Sequence, residues 1–111
     1  MAIVKNLTID QNSTFATEVT LYTKQKLYFD LTNFTVTAQI RKAPTSLNAT
    51  ATFTISKPQA VEGKIILQLT DEQTAAIRPG RYIYDVIVEN NLGQKYRALE
   101  GTVTVTPSVT R

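Results

Sequence analysis

The side chains of this sequence that could carry chemistry are nine carboxylates, twelve lysines and arginines, and five tyrosines; histidine and cysteine do not occur. Without histidine the commonest general base, metal ligand and near-neutral pH switch is missing. Without cysteine there is no disulfide framework and no thiolate zinc site. Carboxylate chemistry remains, and a two-carboxylate hydrolase needs a pair converging in a cleft. Asp71 and Glu72 are adjacent, but their context assigns them another role. In Thr70-Asp71-Glu72-Gln73, Thr70 can cap a helical turn while Gln73 reaches back, and the two acids sit at the positive end of that turn. Asp85, between Tyr84 and Val86, is placed to pair with Arg97 or to cap a loop. Asp10, Asp30 and Asp85 do not cluster as a calcium loop would require. No catalytic, cofactor-binding or metal-ligating residue is assigned, and the chain reads as non-enzymatic.

Binding chemistry is better represented. Arg78-Pro79-Gly80-Arg81 is the most basic local stretch and Arg41-Lys42 the second. Two arginines flanking a turn suit an acidic partner surface or a phosphate. The net charge of +3 is mild and the cations are dispersed, with no exposed aromatics interleaved; nucleic acid is not an expected partner. Tyr82, Tyr84 and Tyr96 share one strand parity and read as core or corner residues rather than a ligand platform. The terminal segment Thr106-Pro107-Ser108-Val109-Thr110-Arg111 is extended in character and is expected to form an arm outside the core. Arg78, Arg81, Pro107, Val109 and Arg111 are therefore the candidate docking residues.

These side chains must be positioned by strands. Hydrophobic residues make up 42% of the 111 positions and charged ones 19%, the balance of one globular domain, taken as 1–111. Apolar residues alternate in Ile3–Ile9, Thr14–Tyr22, Phe34–Lys42, Asn48–Ser56, Lys64–Leu69 and Gly80–Asn90, and again from Tyr96 to Val105, which predicts strands with one buried face. Polar or turn-forming residues separate them at Asp10–Ser13, Lys24–Lys26, around Pro44, and over Lys57–Gly63. Asn90-Asn91-Leu92-Gly93 predicts a hairpin with Gly93 left-handed, Glu89 facing Lys95 and Val88 facing Tyr96. The inward parity changes between Ala98 and Val103, which predicts a bulge near Glu100-Gly101. The expected fold is all-β: an antiparallel immunoglobulin-like sandwich of seven to eight strands with one short helical turn, Tyr82 taking a corner position. A jelly roll or small barrel is the second choice.

The four Asn-x-Thr triplets, at Asn6, Asn12, Asn33 and Asn48, are not expected to be glycosylated. The N-terminus lacks the basic and apolar regions of a signal peptide, and no apolar run approaches the ~20 residues of a membrane span. Synthesis in a cytosol is expected, with no membrane partner.

Several segments resemble a family of small β-sandwich proteins of tailed-bacteriophage virions. They are the strand Leu31-Thr32-Asn33-Phe34-Thr35-Val36-Thr37-Ala38-Gln39-Ile40-Arg41-Lys42, the strand and turn Leu67 to Ile77, the motif Arg78-Pro79-Gly80-Arg81-Tyr82-Ile83-Tyr84-Asp85-Val86, and the closing Glu100-Gly101-Thr102-Val103-Thr104-Val105. The opening Leu7 to Ser13 also fits, with Asn12 where the family usually has glycine. Relatives in this sense include free-standing virion proteins, notably of cyanobacterial phages, and N-terminal domains of upper-baseplate proteins. The resemblance implies a virion component made in the host cytoplasm. It would dock in many copies on the capsid, as a decoration or cement protein, or on the tail or baseplate. Other virion proteins are the implied partners, in a homo-oligomer or symmetric array, and no catalytic residue or cofactor carries over. With no anchor domain read in the sequence, attachment through the domain surface is expected. The alternative is a carbohydrate-binding module aiding host attachment, which would need an exposed aromatic platform.

Overall fold

The computed structural model describes residues 3–21, 31–43, 48–59 and 63–109. Its strands are β1 (Ile3–Val4), β2 (Leu7–Asp10), β3 (Phe15–Thr20), β4 (Thr35–Arg41), β5 (Ala51–Thr52), β6 (Thr54–Gln59), β7 (Lys64–Leu69), β8 (Gly80–Glu89) and β9 (Lys95–Thr106), with a single helical turn, α1 (Asp71–Ala75), between β7 and β8. The larger sheet runs β9-β8-β4-β5, with β1 and β2 laid end to end and parallel along the free side of β9. The smaller sheet is β3-β7-β6, and its pairs are antiparallel. Lys24–Lys26, Tyr28–Asp30, Pro44 and Arg111 lie outside the described residues.

Alternation in the sequence becomes burial in the structure. On β8, Tyr82, Tyr84, Val86 and Val88 are buried, and on β7 Ile65, Leu67 and Leu69 are buried. Leu7 and Ile9 of β2, Ala38 and Ile40 of β4, and Val103 and Val105 of β9 complete the larger sheet's inner face. Both sheets contribute to one core cluster. Phe53 ties them together: its ring meets Phe15 at 6.0 Å and Tyr84 edge-on at 6.1 Å, an arrangement favoured by the ring quadrupoles.

Seven expected strands appear as nine segments among the described residues, because two of the runs divide. Ile3–Ile9 breaks at Lys5-Asn6 into β1 and β2. The run Asn48–Ser56 starts in one sheet and ends in the other. Ala51 pairs with Ile40 in the larger sheet, the Phe53 amide donates to the Ala38 carbonyl at 2.9 Å, and Thr54 pairs with Gln68 in the smaller sheet. Alternation records which side of a strand meets the core, and both sheets face the same core, so the crossing leaves the pattern intact.

Two further differences have local causes. Lys57–Gln59 continues β6 instead of forming a loop, with a register shift between Ser56 and Gln59; Pro58 falls within this irregular stretch of an edge strand, where a missing amide hydrogen is tolerated. The β9 bulge lies at Ala98 and not at Glu100-Gly101, since Val86 pairs with Leu99 and Ile87 with Arg97. Gly101 serves a different need: a Cβ there would collide with the Lys5 carbonyl, at the break between β1 and β2.

The hairpin forms as expected. Gly93 has φ +82°, its amide donates to the Asn90 carbonyl at 3.1 Å, Glu89 pairs with Lys95 and Val88 with Tyr96. The Asn90 side chain strengthens the turn by accepting from the amides of Leu92 and Gln94. The capping box is also present: the Gln73 amide donates to Thr70 Oγ1 at 3.2 Å and the Thr70 amide to Gln73 Oε1 at 2.8 Å. Thr74, fully buried, donates its hydroxyl to the Ser13 carbonyl at 2.9 Å and fastens α1 to the β2–β3 turn.

Candidate functional site

Two surfaces gather the polar chemistry of the domain. The first is one end of the larger sheet. Ile77 is buried and anchors the chain after α1. The chain then turns through Pro79-Gly80 into β8, and the Tyr82 hydroxyl donates to the Arg78 carbonyl at 2.7 Å. That bond fixes the turn as a corner and leaves the Arg78 and Arg81 side chains exposed on either side of it. Lys42 arrives from the end of β4, its ammonium 4.9 Å from the centre of the Tyr82 ring, a cation–π contact. Because Gly80 pairs with Val105 and Arg81 with Thr104, the segment after β9 leaves from the same end. Pro107 is exposed and Val109 is 98% exposed, while the Ser108 amide donates to Gln11 Oε1 at 3.4 Å. Arg78, Arg81, Pro107 and Val109 are thus brought to one end. The sequence treated Arg41-Lys42 as one basic stretch, but strand alternation separates the pair, and only Lys42 joins this cluster.

The second surface is the outer face of the larger sheet, where register sets the residues in rows. Arg41, Ile83 and Thr102 form one row, Gln39, Asp85 and Glu100 the next, and Thr37, Ile87 and Arg97 the third. Asp85 and Glu100 are like charges directly opposed, an unfavourable cross-strand pair by itself. Arg97 resolves it, with Nε 3.4 Å from Asp85 Oδ2 and Nη1 3.3 Å from Glu100 Oε2. This is the expected Asp85–Arg97 pair with a second acid added. Both carboxyl groups thus face the same guanidinium. A neighbouring bond, Arg41 Nη2 to Gln39 Oε1 at 2.9 Å, orders the β4 side. Two hollows of about 480 and 460 Å³ lie on this face and share Gln39 and Arg97.

The tyrosines divide. Tyr82 and Tyr84 are buried, as their parity predicts, but Tyr96 is 50% exposed. It lies near the hairpin tip, and the bulge at Ala98 interrupts the alternation between it and the buried Leu99. Burial pushes the Tyr84 hydroxyl up to about 12, which keeps it a neutral donor to the Lys5 carbonyl at 2.6 Å. Among the described residues no group of three or more acids could hold a metal ion, and no helix is long and apolar enough to cross a membrane.

The chain matches no protein-family model and no curated protein. Sequence reasoning missed the outer-face hollows altogether. Their signal is the polar parity of β4, β8 and β9, but it becomes a surface only when cross-strand register is known.

Proposed function

We propose that this chain is a non-enzymatic structural domain of a tailed-phage virion, docking in many copies on the capsid or on the tail or baseplate. Its fold is read as an immunoglobulin-like sandwich. Three features support that fold: the antiparallel order β9-β8-β4-β5 beside β3-β7-β6, the chain crossing between sheets at Phe53, and the corner bond from Tyr82 to Arg78. The resembling segments support the family reading, since Thr35–Arg41 is β4 and Gly80–Val86 begins β8. Asn12 has φ +67°, a left-handed position where glycine would be the ordinary choice.

The observation that carries the function is the joining of Lys42, Arg78 and Arg81 with exposed Pro107 and Val109 at one end of the sheet. A domain whose buried tyrosines and helix-start acids have structural duties acts through the surfaces it presents. This end offers three cations and an apolar, proline-stiffened strand extension to an acidic partner surface, where arginine gives directional, charge-assisted bonds. Many copies on a symmetric particle multiply a modest single-site affinity.

The test is incorporation into particles, scored by co-sedimentation. Deleting residues 107–111, or replacing Arg78 and Arg81 with glutamate, should weaken incorporation while the melting curve stays close to that of the parent. Undiminished incorporation of both variants would refute this end as the docking surface.

A further inference from the structure

We propose that the outer face of the larger sheet is a binding site for an uncharged oligosaccharide, lying across β4, β8 and β9. This goes beyond the assembly reading and uses none of the residues of the Arg78–Arg81 end.

The site is a pair of adjoining hollows rather than a single pocket. The two hollows share Gln39 and Arg97, and along β8 they extend from Ile83 to Glu89. Six residue steps at a rise of about 3.3 Å give a length of roughly 20 Å, suited to several linked rings and longer than one sugar needs. Each hollow falls within the roughly 300–1,000 Å³ of typical ligand sites.

The lining selects the ligand class. Among the described lining residues the cations are Arg41, Lys95 and Arg97 and the anions Asp85, Glu89 and Glu100, so their formal charges cancel. A strongly anionic or cationic ligand would meet as much repulsion as attraction. An uncharged ligand rich in hydroxyls meets both partners it needs, because each hydroxyl donates and accepts while guanidinium groups only donate and carboxylates only accept. The Gln39 amide, which lines both hollows, can do both. Half-buried Ile83 and Ile87, with Tyr96 exposed at the second hollow, provide the apolar contact for ring C–H faces. One aromatic ring and two aliphatic side chains thus stand where a carbohydrate-binding module would present an aromatic platform. A peptide strand is a poorer fit, since the backbone of β8 is used on both sides by β4 and β9 and offers no ladder to extend.

The site is also preorganised. Arg97 is held by Asp85 and Glu100, and Arg41 bonds to Gln39. These side chains stand on paired strands, so little ordering remains to be done on binding.

The experiment uses the full chain, isotopically labelled, with cellohexaose, maltohexaose and mannohexaose as neutral probes and hexagalacturonic acid as the charged comparison. At least one neutral probe should give saturable shifts of the Gln39, Ile83, Asp85 and Ile87 amides at millimolar or lower concentration. Gln39→Ala should weaken that binding about tenfold with the fold intact, and a control at an exposed position of the smaller sheet, Glu18→Ala, should leave it unchanged. The proposal is overturned if none of the neutral probes shifts these amides, or if only the charged probe does. It is equally overturned if Gln39→Ala binds like the parent, or if the face proves to be covered by a second copy, seen as a dimer in sedimentation that Gln39→Ala or Ile87→Lys dissociates.

Discussion

The Tyr84 hydroxyl donates to the Lys5 carbonyl at 2.6 Å, joining the middle of β8 to an edge segment 79 positions earlier in the chain. Lys5 is where the edge breaks between β1 and β2, so this bond supports a carbonyl at the interruption. The tyrosine must stay protonated to donate. Its folded value of about 12 lies above the ordinary 10.0, so the unfolded chain loses this proton first as pH rises. The Tyr84 contribution to stability is therefore complete below pH 10 and falls away between about 10 and 12. Tyr84→Phe should be less stable than the parent by about 1 kcal/mol at neutral pH, as expected for one lost hydrogen bond. In urea titrations at increasing alkaline pH, the gap between the two proteins should narrow. A gap that stays constant would disprove this role of the hydroxyl.

Gly101 should be intolerant of any side chain although its backbone is ordinary extended strand. The obstruction is the Lys5 carbonyl, a backbone atom that cannot swing aside. Gly101→Ala should destabilise by roughly 1–3 kcal/mol, the range for overpacking. Hydrogen exchange should localise the damage, with the Lys5 amide, bonded to the Glu100 carbonyl at 2.8 Å, losing protection first. Uniform loss of protection across the domain would point to another cause.

Gly93 should fail for the opposite reason. Nothing lies within 4 Å of where its Cβ would sit, but its φ of +82° is strained for other residues. Gly93→Val should cost about 1 kcal/mol or more, lowering the melting temperature by several degrees in a domain of this size. Gly93→Asn should recover most of the loss, because asparagine tolerates the left-handed region. Equal damage from both substitutions would exclude a conformational origin.

Removing Arg97 should expose the repulsion between Asp85 and Glu100. The three side chains are 56%, 38% and 41% exposed, so solvent screening keeps the effect of Arg97→Ala below about 1 kcal/mol. High salt should shrink that difference, and adding Asp85→Asn to the variant should restore stability. If the double variant is no better than Arg97→Ala, packing of the guanidinium stem and not charge explains the loss.

Much of this protein was legible in its sequence because alternation and turn chemistry are local. The buried face of β8, the capping box at Thr70 and Gln73, and the left-handed Gly93 each depend on a few neighbouring residues, and each formed as read. The corner role of Tyr82 was readable for the same reason, since its partner Arg78 is one turn away. Other features required partners distant in the chain. Whether Phe53 belongs to one sheet or joins two depends on Ala38 and Gln68, not on its neighbours. The bulge at Ala98 and the clearance at Gly101 are set by which residues of β8 and of the N-terminal edge lie alongside β9. Tyr96 shares the parity of buried tyrosines but lies beyond the bulge, near the hairpin tip. The outer-face rows are the plainest case: Gln39, Asp85 and Glu100 look unrelated along the chain and become neighbours only through register. Local backbone preference and hydrophobic period thus determined the strands and turns, while long-range strand pairing decided which polar side chains meet.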